Sequence, residues 1–237
     1  FTGAAYISTQ AAVKCGSGLT TLVTDSYVQD IASQKLCEAM TLNIAENQKV
    51  INLIKDCDAI GFGCGMGDND DTYNKLEYIL NNTTCPIIID ADGLNVLKDK
   101  KELLKSNPNR IIITPHLGEM SRLTGYPINY IRDNKVDAAK EFANKYKVVV
   151  LLKGYETVIT NGKYTYINPT GNSSMANGGM GDTLLGMITS FVGQGMTNLM
   201  GTVCAAYIHG YIGQRLSKDL YTVNASDVIN LIPQTMK

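Results

Sequence analysis

The residues best suited to chemistry lie in one segment, Asn168-Pro-Thr-Gly-Asn-Ser-Ser-Met-Ala-Asn-Gly-Gly-Met-Gly-Asp182, which runs into the apolar stretch Thr183 to Val192. Small residues let backbone amides approach a ligand closely. A helix starting at the end of such a loop aims unpaired N–H groups and a partial positive charge at a bound phosphate. The amides of Gly178, Gly179, Met180 and Gly181 then form an anion hole. The Asp182 carboxylate stands where it can take a proton from a hydroxyl attacking the phosphoryl group. The structural alternative is a flexible glycine loop with Asp182 as a helix cap.

A base in that position needs a rigid frame, and the chain supplies apolar strands that end in polar or glycine-rich turns. Asp58 to Phe62 runs into Gly63-Cys-Gly-Met-Gly67, and Pro86 to Asp90 into Ala91-Asp-Gly-Leu-Asn95. Arg110 to Thr114 runs into Pro115-His116, and Lys147 to Leu152 into Lys153-Gly154. Helical spacing is found over Asp71 to Leu80, after Asp90, over Gly118 to Leu123, and from about Asn129 to Tyr146. Upstream, an alanine-rich helix closed by glycine precedes a strand from Leu19 to Thr24 and a helical region clearest over Glu46 to Lys55. Alternating apolar strands and helices imply a parallel sheet covered on both faces, with its active site at the carboxyl ends of the strands. Thr157 to Thr160 and Lys163 to Ile167, joined by Asn161-Gly162, read as a β-hairpin leading into the glycine loop. The rest is helical: Asp182 to Gln194, Asn198 to Leu216, and a last helix capped at Asn224 or Ser226.

With 237 residues and 44% hydrophobic content, the chain can bury the core of one α/β domain spanning residues 1–237. A net charge of −1 makes no electrostatic case for nucleic acid or an anionic membrane as partner. Six cysteines without a Cys-x-x-Cys pair, and only two histidines, suggest neither a zinc cage nor a disulfide framework; a reducing cytoplasm fits this usage. No apolar run approaches the ~18 residues of a membrane span. The chain opens on Phe1 with a helix already under way, so an upstream segment is expected to be missing.

Taken in order, six motifs resemble one family across nearly the whole chain. They are Gly3-Ala-Ala, Gly63-Cys-Gly-Met-Gly67, Asp90-Ala-Asp-Gly-Leu-Asn95, Thr114-Pro-His-Leu-Gly-Glu-Met-Ser-Arg-Leu123, Leu152-Lys-Gly-Tyr-Glu-Thr157 and Gly171 to Asp182. Together they resemble the NAD(P)H-hydrate dehydratases of the ribokinase-like fold, a three-layer α/β sandwich with a mostly parallel sheet. Two departures stand out. Cys64 replaces the proline usual in the first glycine loop, which removes a stiffening residue but no backbone donor. The family's first strand is also absent.

The resemblance implies repair of hydrated NADH or NADPH: a nucleotide phosphorylates the ring hydroxyl, phosphate is eliminated, and Asp182 acts as base. It further implies that Lys153, Gly154, Tyr155, Glu156, Thr157 and Gly181 hold the nucleotide, and that Ala4, Gly65, His116 and Asp182 hold the hydrate. Mg2+ would accompany ADP or ATP, and the Lys153-Gly-Tyr-Glu-Thr form resembles the bacterial, ADP-using type. Asp90 and Asp92 either orient a magnesium shell through water or serve a turn and helix cap. Glu119 and Arg122, three apart on a helix, pair with each other, and His209 belongs to the core or to a helix contact. A homo-oligomer, with a tetramer among the options, and fusion to or cooperation with an NAD(P)H-hydrate epimerase are further implications. The competing readings are a ribokinase-like kinase of a vitamin precursor such as hydroxyethylthiazole, and a non-catalytic nucleotide-binding module.

Overall fold

Runs of three β-branched residues build the centre of the molecule, because successive side chains of a strand point to opposite faces. The structure is a computed structural model that describes residues 1–237. In chain order its elements are α1 (Thr2–Lys14), β1 (Thr21–Thr24), α2 (Ser26–Ala32), β2 (Met40–Asn43), α3 (Asn47–Asp56), β3 (Ile60–Phe62) and α4 (Asp70–Asn82). There follow β4 (Ile87–Ile89), α5 (Asp92–Asn95), β5 (Ile111–Ile113), α6 (Leu117–Thr124), α7 (Ile128–Asp133), α8 (Lys135–Tyr146) and β6 (Val149–Leu152). The last are β7 (Val158–Thr160), β8 (Thr165–Ile167), α9 (Met180–Gly193), α10 (Asn198–Leu216) and α11 (Ala225–Thr235).

Six strands form one sheet in the order β3-β4-β5-β6-β7-β8, parallel through β6 and antiparallel across the hairpin. Ile87, Ile89, Ile111, Ile113, Val150 and Leu152 join Leu76, Leu80, Met120 and Phe142 in a core with α4, α6 and α8. Ile88, Ile112, Val149 and Leu151 face the opposite core, with α1, α9, α10 and α11. Full burial of each aliphatic side chain contributes roughly 1.5–3 kcal/mol, so both layers are held by the strands they share.

Two parts of the fold differ from the sequence pattern. Between β1 and α3 the chain forms α2 and then β2, which pairs in parallel with β1 as a separate two-stranded sheet. The helical spacing read across Asn129 to Tyr146 is broken at Asn134, whose backbone (φ −128°, ψ 40°) leaves the helical region and separates α7 from α8.

Candidate active site

Three neighbouring strands deliver their polar ends to one place. β4 ends at the buried Asp90, β5 leads through Thr114 and Pro115 to His116, and β6 ends at Lys153. The sheet continues one step further there: Lys153 N–H donates to the Pro115 carbonyl at 2.8 Å, and His116 and Lys153 form a parallel bridge. Lys153 Nζ donates to Asp90 Oδ1 at 2.6 Å and stands 3.9 Å from Glu119 Oε2. Burial alone would lower the Lys153 pKa, but Asp90 and Glu119 outweigh it and hold the value above the ordinary lysine range. The lysine is therefore a fixed cation with 23% of its side chain exposed.

His116 and Glu119 make the N-terminal cap of α6. His116 Nδ1 accepts from the Gly118 and Glu119 N–H groups at 2.9 and 3.2 Å, and Glu119 Oε2 accepts from His116 N–H at 2.8 Å. An accepting Nδ1 assigns the proton of the neutral ring to Nε2, which lies 3.4 Å from Glu119 Oε1 on a half-exposed side chain. The pairing of Glu119 with Arg122 is not found: Arg122 donates to Asn95 Oδ1 at 3.0 and 3.2 Å. Glu119 is instead drawn back to the His116 N–H and toward Lys153, both donors that a buried carboxylate satisfies.

The first glycine loop is clamped by backbone packing. A β-carbon on Gly63, at φ +115°, would lie 2.0 Å from the Asp90 carbonyl oxygen. Asp92 Oδ2 accepts from Gly67 N–H at 2.7 Å, so this carboxylate fixes the loop. Gly65 lies against Phe1, whose backbone nitrogen donates to the Gly65 carbonyl at 2.7 Å; Phe1 is the N-cap of α1, and Ala4 sits in the first turn of that helix.

The second glycine loop is laced onto α10 and the segment before α11. Asn168 Nδ2 donates to the Ala206 carbonyl at 3.1 Å, Thr170 Oγ1 to that of Tyr207 at 2.9 Å, and Asn177 Nδ2 to that of Val223 at 2.6 Å. The loop ends at Gly179 (φ +90°), the N-cap of α9, where no side chain caps the helix. Asp182 lies in that first turn. A β-carbon on Gly181 would stand 3.3 Å from Asp90 Oδ2 and 3.5 Å from Lys153 Nζ, so the uncapped helix end directly meets the cation. The Cys64 thiol is pushed far up by burial first, then by the Asp90 and Asp182 charges, and remains protonated beside Asp182.

A cavity of about 970 Å³ opens beside the helix end. Among the residues singled out from sequence, His116, Lys153, Gly154, Tyr155, Glu156, Thr157, Gly178, Met180 and Gly181 line it. Ala4, Gly65, Gly179 and Asp182 do not; they lie toward the first glycine loop and α1. Asn168, Thr170 and His209 also line the cavity; the first two lie in the segment singled out from sequence without a role of their own, and His209 had none. His209 is buried on α10 with Nε2 unpartnered, and burial lowers its pKa to about 4, so its ring is neutral. The only signal for Asn168 and Thr170 was their place at the head of the glycine segment. No cluster of three or more His, Cys, Asp and Glu side chains is arranged to hold a metal ion; Asp90 pairs with Lys153, and Glu119 caps α6.

Comparison with known proteins bears on the family and the fold. The family model described as NAD(P)H-hydrate dehydratase matches residues 1–234. An ADP-dependent (S)-NAD(P)H-hydrate dehydratase of Staphylococcus aureus is 36% identical over 99% of this chain and 84% of its own length. The crystal structure of a ribokinase-like superfamily protein from Enterococcus faecalis superposes with a TM-score of 0.90 at 29% identity, covering 99% of this chain and 82% of that one. The ADP/ATP-dependent NAD(P)H-hydrate dehydratase of Bacillus subtilis, co-crystallised with ATP/Mg2+, gives 0.84 at 29% identity, covering 99% and 84%. The chain spans about half the length of the bifunctional NAD(P)H-hydrate repair enzymes it also matches. The fold is ribokinase-like, and the chain belongs to the NAD(P)H-hydrate dehydratase family.

Proposed function

We propose that this protein dehydrates the S form of NADH or NADPH hydrate back to the reduced nicotinamide, using ADP in preference to ATP. The observation behind this reading is the uncapped start of α9 meeting Lys153 at the edge of the cavity, with Asp182 in its first turn. The nucleotide lies along Lys153 to Thr157, with its terminal phosphate on the amides of Gly178 to Gly181. The hydrate lies between His116, Gly65 and Ala4. Asp182 takes the proton of the ring hydroxyl as its oxygen attacks the terminal phosphorus, and AMP departs. Phosphate then leaves as the ring nitrogen lone pair forms the C=N bond, and loss of a proton from the adjacent carbon restores the enamine. Hydroxide is a poor leaving group and phosphate a good one, so the nucleotide supplies what simple acid–base chemistry lacks.

The residues present do not build a cage for Mg2+, which therefore enters on the nucleotide phosphates. No helix is long and apolar enough to cross a membrane, and we place the enzyme in the cytoplasm. A homo-oligomer is supported by the exposed, stacked Tyr207 and Tyr211 on α10 and by Tyr166 and Ile167 on the edge strand β8. Cooperation with an epimerase is supported by the two-function relatives. The test is optical: absorbance of reduced nicotinamide should reappear from hydrated NADH only when ADP and Mg2+ are added, with AMP and phosphate formed in equal amounts. A phosphorylated product that persists would instead support a vitamin-type kinase. No nucleotide consumption at all would support a binding module.

A further inference from the structure

All six cysteines are free, and two of them, Cys57 and Cys85, hold their sulfurs 3.4 Å apart at the amino end of the sheet, opposite the cavity. The topology puts them there. Cys57 ends α3 shortly before β3, Cys85 follows α4 shortly before β4, and Ile60 and Ile87 pair in register between these strands. Both side chains are only partly buried, so a small reagent can reach them.

The surroundings divide the roles of the two sulfurs. Cys57 has two acceptors for its single proton, the Cys85 sulfur and the Ile54 carbonyl oxygen at 3.3 Å. A negative charge on Cys57 would be repelled by that carbonyl. On the other side, the Arg110 guanidinium donates to Thr83 Oγ1 at 3.2 Å and to the Leu80 carbonyl at 3.3 Å, and its buried Nε has no partner. Burial lowers the Arg110 pKa, and a thiolate at Cys85 or Cys57 opposes that shift. The Cys57 hydrogen bond first, then Thr83 and Arg110, bring the Cys85 thiol down to about 7 against the opposing effect of burial, while Cys57 is pushed up.

We propose that Cys57 and Cys85 form a thiol–disulfide exchange site, in which Cys85 attacks a small-molecule disulfide of the glutathione type and Cys57 resolves the adduct. In the first step Cys85 Sγ forms a bond to one sulfur of the reagent and the other sulfur leaves as a thiolate. In the second, Cys57 gives its proton to solvent and attacks Cys85 Sγ, expelling the second thiolate. The two protein thiols lose two electrons in all, and the reagent is reduced to two thiols. The bond closes a loop between positions 28 apart that holds β3, the first glycine loop and α4, which restricts the unfolded chain.

The full-length chain treated with oxidised glutathione should lose two hydrogens in mass, yield a Cys57–Cys85 linked peptide on digestion with thiols blocked, melt at a higher temperature, and revert with dithiothreitol. Cys57→Ser should stop at one glutathione on Cys85, and Cys85→Ser should leave Cys57 unmodified. Should a variant fail to fold, brief alkylation of the wild-type chain by limiting iodoacetamide provides the same ordering, with Cys85 labelled before Cys57. A linked peptide from any other pair, glutathione retained on wild-type Cys85, labelling of Cys57 first, or no loss of thiols would overturn the proposal.

Discussion

A β-carbon at Gly63 would lie 2.0 Å from a backbone oxygen, whereas at Gly178 it would meet nothing within 4 Å. The two glycine loops that converge on Asp182 thus use the same residue for different ends. In the first loop the neighbouring chain occupies the space, and the positive φ of Gly63, Gly65 and Gly67 is one that side chains rarely adopt. At Gly178 the backbone is ordinary and the space is open, so the fold does not require glycine there. On the proposed function, that open space is where the nucleotide phosphates approach the Gly178 amide. Gly179 belongs with the first group although it sits in the second loop: its φ is +90°, and a β-carbon would lie 2.9 Å from both Ala225 Cβ and Ile7 Cδ1. A short glycine motif therefore mixes positions that the fold requires with positions that it leaves open, and only the surroundings separate them.

The largest effect should come at the junction of the two loops. Asp182→Asn keeps the side chain's size but removes the base, and turnover should fall by ~10²- to 10⁴-fold with ADP affinity unchanged in calorimetry. A loss below tenfold would place the base elsewhere. Next, Gly63→Ala should cost about 3 kcal/mol of stability, from backbone overlap and a strained φ, read from urea midpoints. A midpoint equal to wild type would dissolve the distinction between the loops. Lys153→Ala should raise the KM for ADP by roughly ten- to a hundredfold, the value of a charged contact, and His116→Ala should instead raise the KM for the hydrate. If both variants weaken the same ligand, the division of the cavity is wrong. The smallest effect on the fold should be that of Gly178→Ala: stability within about 0.5 kcal/mol of wild type, yet weaker ADP binding. Unchanged binding would show that the phosphates do not approach this amide.

Much of the frame was legible in the sequence because β4, β5 and β6 are uninterrupted apolar runs that end in polar residues. β2 was not, since Met40 to Asn43 carries no periodic signal and pairs only with β1. The break at Asn134 was hidden because helical spacing continues on both sides of it; a single non-helical residue leaves the pattern of apolar positions nearly intact. At the site, the strand-end position of Lys153 was readable, but its ion pair was not. Asp90 lies 63 positions away and is brought to it by the strand order alone. The cap made by His116 and Glu119 has capping-box spacing with a histidine where a hydroxyl is usual, so spacing alone suggested a pair with Arg122 instead.

The contact between α1 and α9 bears on how the protein is made. A β-carbon on Gly186 would stand 2.1 Å from the Ser8 carbonyl oxygen, so these helices touch backbone to backbone across most of the sequence. During synthesis α1 leaves the ribosome long before α9 exists, and its Ala11, Ala12 and Cys15 face has no partner until then. Contacts of such sequence separation form late, because the chain between them must first lose its freedom. The helix bearing Asp182 is therefore among the last pieces seated, and the nascent chain depends on holding α1 unaggregated until α9 arrives.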